Sequence, residues 1–167
     1  IILAHGMRRS YWRDKSFGER RPPDCASADA QSGDCTDQDL VAQGVGGACF
    51  TCPMSQWGTA TDEKGAPSKG QACKLRHMLL LLRPESSLPI VLSTPPSSLQ
   101  PLRRYLLRLQ VPHGHVVTMF RLQAASSANN IRYAQLDPVI GRQLAPEELA
   151  AVAQYARDVL PAFQLVP

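Results

Sequence analysis

The stretch that decides the fold is residues 75–92, which read LRHMLLLLRPESSLPIVL. It contains two apolar runs, 75–82 and 88–92, and each run is short enough for a buried strand. The residues between them, RPESS, are typical of a turn. The stretch therefore predicts a β-hairpin. The 14 prolines and 11 glycines of the 167-residue chain also favour short strands joined by irregular loops over a helix bundle.

Downstream of this hairpin the pattern predicts a helix and a second hairpin. Leucines recur at helical spacing after Ser97 and Ser98, either of which can cap the helix. These leucines are Leu99, Leu102, Leu106 and Leu109. Apolar and polar residues then alternate over 116–122 and over 131–136, as in two paired strands with a turn at 126–130.

A last helix begins near Pro146, since proline suits the first helical position and Glu147 and Glu148 lie at the positive end of the helix dipole. Its apolar stripe consists of Leu149, Val152, Ala153, Ala156 and Leu160. With a first strand at 1–12, the order of elements fits the OB-fold, a small Greek-key barrel with a helix between its third and fourth strands. A ferredoxin-like sandwich needs a helix after the first strand, where no helical period is present. We expect a single, mainly β domain with an OB-fold-like barrel and a C-terminal helix. The chain opens in mid-pattern at Ile1, so we also expect N-terminal residues to be missing.

Charge divides the chain into four parts. Residues 1–24 are basic, 25–73 contain two lysines against six acids, and 74–142 contain nine basic residues against two acids. The last part, 143–167, is acidic, and the net charge of the whole chain is +4. A basic excess of this kind favours a phosphate backbone lying across the surface.

Composition and missing motifs exclude several classes of protein. The longest uncharged apolar stretch, 78–82, has five residues, whereas a membrane-spanning helix needs about 18. We therefore expect a soluble chain without membrane contact. The chain has no phosphate-binding G-x4-G-K-[ST] loop, no G-x-S-x-G elbow and no H-E-x-x-H pair. The two acids of the basic part cannot build a two-metal nuclease, so we do not expect an enzyme.

The cysteines predict a metal site in the segment 25–73. Cys49 and Cys52 form a C-x2-C pair, whose spacing lets both thiolates reach one tetrahedral ion. Cys73 and one of Cys25 or Cys35 would complete the set, ahead of the four histidines. A structural zinc ion could close this long loop of low apolar content. A catalytic zinc, a redox C-x2-C, an iron–sulfur cluster and buried free cysteines remain alternatives.

A surface that binds single-stranded nucleic acid needs basic side chains and a few aromatic faces on which bases stack. The sequence places aromatic and basic residues together near the first strand and in the second hairpin, and it places further basic residues at the start of the basic part. The candidates are Arg8, Arg9, Tyr11, Trp12, Arg13, Lys74, Arg76, Arg121, Arg132 and Tyr133.

Four segments together resemble a known family. They are PDCASAD at 23–29, CFTCP at 49–53 followed by WGTA at 57–60, KGQACK at 69–74, and LPIVL at 88–92 followed by PPSSL at 95–99. This pattern is similar to that of phage and mobile-element proteins described as single-stranded-DNA-binding, with a zinc-binding insertion in an OB-fold, and it covers residues 11–144. The resemblance implies Cys25, Cys49, Cys52 and Cys73 as the zinc ligands and leaves Cys35 outside the set.

The residues and the resemblance lead to the same expected function. We expect a single-stranded-DNA-binding protein without sequence preference, acting in replication or recombination in the cytoplasm of a bacterial host, with Zn²⁺ as a structural cofactor. The acidic C-terminal part is the expected contact for replication or recombination proteins. The alternative is a protein–protein interaction module whose zinc loop binds a partner without any role for DNA. A metal-dependent nuclease or a redox protein is the third hypothesis.

Overall fold

The computed structural model describes residues 1–14, 21–62, 64–127 and 130–163. The described residues are mainly β, with antiparallel strands and three α-helices. They fall into two compact units, one of residues 7–76 and one of residues 1–6 and 77–167. No helix within the described ranges has both the length and the apolar character needed to cross a membrane.

The unit of residues 7–76 is built from short antiparallel strands. The end of β1 (Ile2–Tyr11) pairs with β2 (Cys25–Ser27), which pairs with β3 (Ser32–Cys35), which pairs with β4 (Gly47–Ala48). A short helix, α1 (Gln38–Ala42), follows β3. The sequence predicted an irregular segment at 25–73. The structure instead has three short strands and a short helix in its first half.

Helix α1 begins at Asp37, whose carboxylate accepts hydrogen bonds from the backbone amides of Asp39 and Leu40. Such a cap satisfies amides that have no partner inside the helix. The helix places Leu40 in a small core made of cysteine and aliphatic side chains. That core consists of Cys25, Leu40, Val45 and Cys52.

The other unit contains the hairpin predicted from residues 75–92, and that prediction is confirmed. Strands β5 (Lys74–Leu81) and β6 (Ile90–Thr94) pair antiparallel. Ile1 and Leu82 exchange both backbone hydrogen bonds, at 2.8 and 2.9 Å, so the start of β1 runs antiparallel to the end of β5. The buried side chains of this unit include Ile2, Leu79, Leu81, Leu102 and Tyr105.

Helix α2 (Pro96–Arg108) confirms the predicted helix but not its predicted caps. Pro95 occupies the N-cap position, and the helix starts with Pro96, which has no amide hydrogen that needs a partner. Ser98 lies inside the helix, where its buried hydroxyl accepts a 3.0 Å hydrogen bond from the amide of Leu136. The prediction that Ser97 or Ser98 caps the helix is therefore wrong.

The second hairpin and the last helix are also confirmed. Strands β7 (Val116–Ser126) and β8 (Arg132–Gln143) are longer than predicted and pair over their full length. Part of the predicted turn at 126–130 lies outside the described residues. Helix α3 (Pro146–Phe163) packs its apolar stripe on Leu3, Ala4 and Leu80, but Ala153 is exposed. The residues of α3 in this contact are Val152, Tyr155, Ala156, Val159, Leu160 and Phe163.

The closed barrel expected of an OB-fold is not confirmed. In the described part of the chain, β7 pairs with β8 alone, and β4 and β6 each pair with a single strand. These sheets are open, whereas a barrel requires each strand to have two neighbours. The observed architecture is therefore antiparallel sheets with a C-terminal helix.

Candidate functional site

The four cysteines predicted as zinc ligands lie around one small cavity of about 10 Å³ in the unit of residues 7–76. Cys25, Cys49, Cys52 and Cys73 are all buried. Cys25 comes from β2, and Cys49 and Cys52 come from a turn in which the amide of Cys52 donates to the carbonyl of Ala48 at 3.1 Å. Cys73 precedes β5, and its amide donates to the carbonyl of Met54 at 2.7 Å. The fold thus brings together cysteines separated by up to 48 positions.

The fifth cysteine, Cys35, is paired with one of the predicted zinc ligands. Cys35 lies directly opposite Cys25 on the paired strands β2 and β3, with 4.1 Å between their Cα atoms, and the two form a disulfide. Cys49, Cys52 and Cys73 have free thiols. Among the residues that the structure describes, no group of three or more His, Cys, Asp or Glu side chains is arranged to hold a metal ion. The zinc site therefore stays a prediction.

Polar and small residues surround the cysteines. The buried hydroxyl of Ser55 lies within hydrogen-bond distance of the carbonyl oxygens of Cys49 and Cys52 and can donate to either. The Nη1 atom of Arg9 lies 3.4 Å from the carbonyl oxygen of Cys73. Burial raises the pKa of the Cys73 thiol, and the positive charge of Arg9 opposes that rise. A thiolate at this position would have a cation beside it.

Gly33 allows two of the sulfurs to approach the backbone. A Cβ atom at this position would lie 3.3 Å from the Sγ atom of Cys25 and 3.6 Å from that of Cys49. The first distance is tighter than most real Cβ contacts. A side chain at Gly33 would therefore press on both cysteines from the same side.

The predicted nucleic-acid residues of this unit mostly have partners inside the unit. Arg13 forms an ion pair with Asp37 at 3.0 Å, and the Nε1 atom of Trp12 donates to the carbonyl of Arg21 at 3.1 Å. The side chain of Tyr11 packs against the core around Cys25, Leu40, Val45 and Cys52. The Nζ atom of Lys74 donates to the carbonyl of Gln71 at 2.8 Å. Arg8 and Arg76 are half-buried.

The other predicted nucleic-acid residues lie on the β7–β8 hairpin of the second unit. Arg121 forms an ion pair with Asp137, its cross-strand neighbour, at 3.0 Å. Arg132 is exposed, and Tyr133 has 36% of its surface exposed. Because side chains alternate along a strand, Arg132 and Tyr133 lie on opposite faces of the hairpin.

Helix α2 presents a basic surface that the candidate set left out. Arg103, Arg104 and Arg108 are exposed, and they form no ion pair with any residue in the described ranges. Helix α2 contains no acidic residue. The helical spacing of the leucines already placed these arginines on the outer face, so the sequence contained the signal.

A histidine cluster is a further feature that the set of candidate residues left out. The Nε2 atom of buried His77 lies 3.0 Å from the Nδ1 atom of His5. The ring of His113 lies nearly perpendicular to that of His5, with 4.8 Å between the ring centres. Burial, together with the smaller effect of the charge of His5, lowers the pKa of His77 to about 4. Burial also lowers the pKa of His5 and of His113.

Comparison of the chain with protein-family models, with curated proteins and with solved structures finds no match. The functional proposal therefore depends on the geometry above and on the sequence.

Proposed function

We propose that the chain is a single-stranded-DNA-binding protein without sequence preference that acts in replication or recombination. The observation that carries this proposal is the basic surface of α2, which has no ion-pair partner among the residues that the structure describes. Arg103, Arg104 and Arg108 lie within two turns of one helix and are free to meet phosphate groups. Each phosphate neutralised by such a side chain releases condensed counterions, which supplies affinity that does not depend on base sequence. Arg132 adds a further exposed cation in the same unit.

A structural zinc ion bound by Cys25, Cys49, Cys52 and Cys73 belongs to the same proposal. The C-x2-C spacing supports it, as does the cavity that all four cysteines share. The disulfide between Cys25 and Cys35 has to be reduced before Cys25 can act as a ligand. When bound, zinc would cross-link β2, the turn after β4 and the start of β5. The charge of Arg9 would then partly offset the excess negative charge of four thiolates.

The finer fold and cellular setting also belong to the proposal. The chain order of strands, helix, strands and helix supports an OB-fold-like arrangement, although the sheets are open. The acidic part at 143–167 would contact replication or recombination proteins in the cytoplasm of a bacterial host.

Fluorescence anisotropy of labelled single-stranded and duplex oligonucleotides, measured over a series of salt concentrations, tests this function. We expect tighter binding to the single strand, with affinity that falls as salt rises. Replacing all three α2 arginines, in R103A/R104A/R108A, should weaken binding at least tenfold and reduce the salt slope by about 2, since each contact with a single strand contributes about 0.7.

Arg121→Ala is the matched control, because Arg121 is already paired with Asp137. This change should alter affinity less than the triple change does. Absence of binding to either oligonucleotide at low salt would contradict the proposed function. Equal affinities of the triple variant and the unmodified chain would remove its structural basis.

A further inference from the structure

Two large aromatic side chains beside the cysteines project into solvent. Phe50 has 81% of its surface exposed and Trp57 has 78%. Single exposed apolar residues are common on protein surfaces. These two are unusual because both are aromatic and both belong to the loop of the C-x2-C pair, with Phe50 between the two cysteines and Trp57 five positions after Cys52.

Hydrogen bonds connect the backbone at Phe50 to the residue before Trp57. The Nε2 atom of Gln56 donates to the carbonyl of Phe50 at 2.9 Å and to that of Cys52 at 3.2 Å. Between them, Pro53–Ser55 forms a 3₁₀ turn, in which Ser55 bonds to the cysteine carbonyls. These hydrogen bonds therefore connect the backbone segments that contain Phe50 and Trp57.

The C-terminal side of Trp57 is fixed as well. The amides of Gly58 and Ala60 both donate to the carbonyl of Gly70, each at 3.0 Å. Gly58 has a φ of +87°, a conformation that glycine adopts without strain, so the chain can turn directly after Trp57. A backbone that is already ordered before binding loses less conformational entropy when a ligand arrives.

One exposed cation lies close in the chain to the segment that contains the two rings, although residues 25–73 as a whole contain two lysines against six acids. Residues 48–61 contain no charged side chain. Lys69 is exposed and precedes Gly70, the residue that is hydrogen-bonded to the segment after Trp57. The carboxylate of Asp62 accepts hydrogen bonds from the amides of Lys64 and Ala66, so it is engaged within its own loop.

We propose that Phe50 and Trp57 form a stacking platform for the unpaired bases of single-stranded nucleic acid. Exposed aromatic faces accept any base, because every base has a π-face, and Lys69 supplies a cation for the phosphate backbone. The inference rests on the proposed function and adds a base-binding site to it. It also replaces Tyr11 and Trp12 as platforms, since Tyr11 packs in a core and the indole nitrogen of Trp12 bonds to the backbone.

Tryptophan fluorescence tests the platform directly. The chain has two tryptophans, so Trp12→Phe leaves Trp57 as the only one and serves as the reference protein. Titration with oligo-dT should quench Trp57 fluorescence, with the same midpoint as the anisotropy of a labelled oligo-dT. In the same background, F50A should weaken binding about 5- to 150-fold, the range expected for one stacked base, without changing the salt slope.

Two further variants complete the test. Phe50→Tyr keeps an aromatic face and should retain the affinity of the reference protein. Val41→Ala, at an exposed apolar position of the same unit, should also leave the affinity unchanged. A salt slope that stays constant in F50A while affinity falls would identify stacking, because a lost phosphate contact lowers the slope.

The possible failures can be told apart. If oligo-dT binds by anisotropy, but Trp57 fluorescence and the affinity of F50A do not change, the platform is wrong and the proposed function stands. The two exposed rings would then be assigned to binding an apolar pocket of a protein partner. If oligo-dT does not bind in either assay, the proposed function fails and the platform fails with it.

Discussion

The two units of the chain have cores of different chemistry. In the unit of residues 1–6 and 77–167, the side chains of Ile2, Leu79, Leu80 and Leu102 are fully buried. In the unit of residues 7–76, the largest core cluster is Cys25, Leu40, Val45 and Cys52. Burying aliphatic side chains stabilises a fold by about 1.5 to 3 kcal/mol for each large residue. The unit of residues 7–76 has few such residues, so it depends more on cross-links and polar contacts.

Hydrogen bonds from side chains to the backbone organise the loops of the unit 7–76. The carboxylate of Asp29 accepts bonds from the hydroxyl of Ser27 and from the amides of Gln31 and Ser32. These bonds lower the pKa of Asp29, the amide of Ser32 contributing most. The carboxylate of Asp62 bonds to the amides of its own loop in the same way. Such contacts shape turns but add less to the free energy of unfolding than an apolar core does.

The largest effect is expected from replacing the two cysteines of the C-x2-C pair. The double change Cys49→Ser and Cys52→Ser should abolish amide protection against hydrogen exchange in residues 7–76 and leave it in residues 77–163. Zinc contributes about 10 to 16 kcal/mol in small zinc modules, and this unit has few buried aliphatic side chains to replace that contribution. Elemental analysis should find about one zinc per reduced wild-type chain and none in the variant.

Cys35→Ser is the matched control for this change, since it removes the disulfide but none of the proposed ligands. We expect this variant to keep both its zinc and its amide protection. If Cys35→Ser loses protection and the Cys49 and Cys52 changes do not, the disulfide holds this unit, and the zinc proposal is wrong.

The next largest effect is expected in the unit of residues 1–6 and 77–167, which is called the leucine-rich unit below. Leu102 is fully buried, and Leu102→Ala should lower the free energy of unfolding of its unit by about 2 to 5 kcal/mol, because it deletes contacts and leaves a cavity. Urea denaturation with hydrogen exchange measures this effect for each unit. Leu107→Ala, on the same helix at a position that is 75% exposed, should change the stability by less than about 0.5 kcal/mol. An equal loss of protection in both units after Leu102→Ala would show that they unfold together.

The difference between the aliphatic core of one unit and the cysteine-containing core of the other also explains which elements the sequence could predict. The hairpin of β5 and β6 and helices α2 and α3 have apolar residues at regular spacing, and burial of those residues determines their structure. The caps at Ser97 and Ser98 were wrong because the sequence could not show that Ser98 bonds to Leu136, 38 positions away. The length of β7 and β8 was underestimated because their distal halves are exposed and lack a buried face with a regular pattern.

The candidate site was predictable only in part, for related reasons. The C-x2-C spacing indicated that Cys49 and Cys52 act together, and the fold does gather Cys25 and Cys73 beside them. The pairing of Cys25 with Cys35 depends on the register of two short strands that no periodicity marks. Similarly, Arg13 and Arg121 look like phosphate ligands in the sequence, but Asp37 and Asp137 reach them in the fold. Charge counts along a sequence do not show which charges pair in space.

The smallest effect expected is the pH dependence of the leucine-rich unit, which arises from its histidine cluster. His77 has a pKa of about 4 in the folded chain against 6.5 as its ordinary value, so the unfolded chain takes up a proton at higher pH than the folded chain does. The contribution of neutral His77 to the free energy of unfolding should therefore be fully present above pH 6.5. It should decrease by up to about 3 kcal/mol as the pH falls toward 4. Carboxylates also titrate near pH 4, so the informative quantity is the difference between variants in the urea midpoint measured from pH 7 to pH 4.5. His77→Gln should flatten this dependence, whereas His115→Gln, at an exposed position, should follow the wild type. The same pH dependence in both variants would show that burial of His77 does not determine the acid sensitivity of this unit.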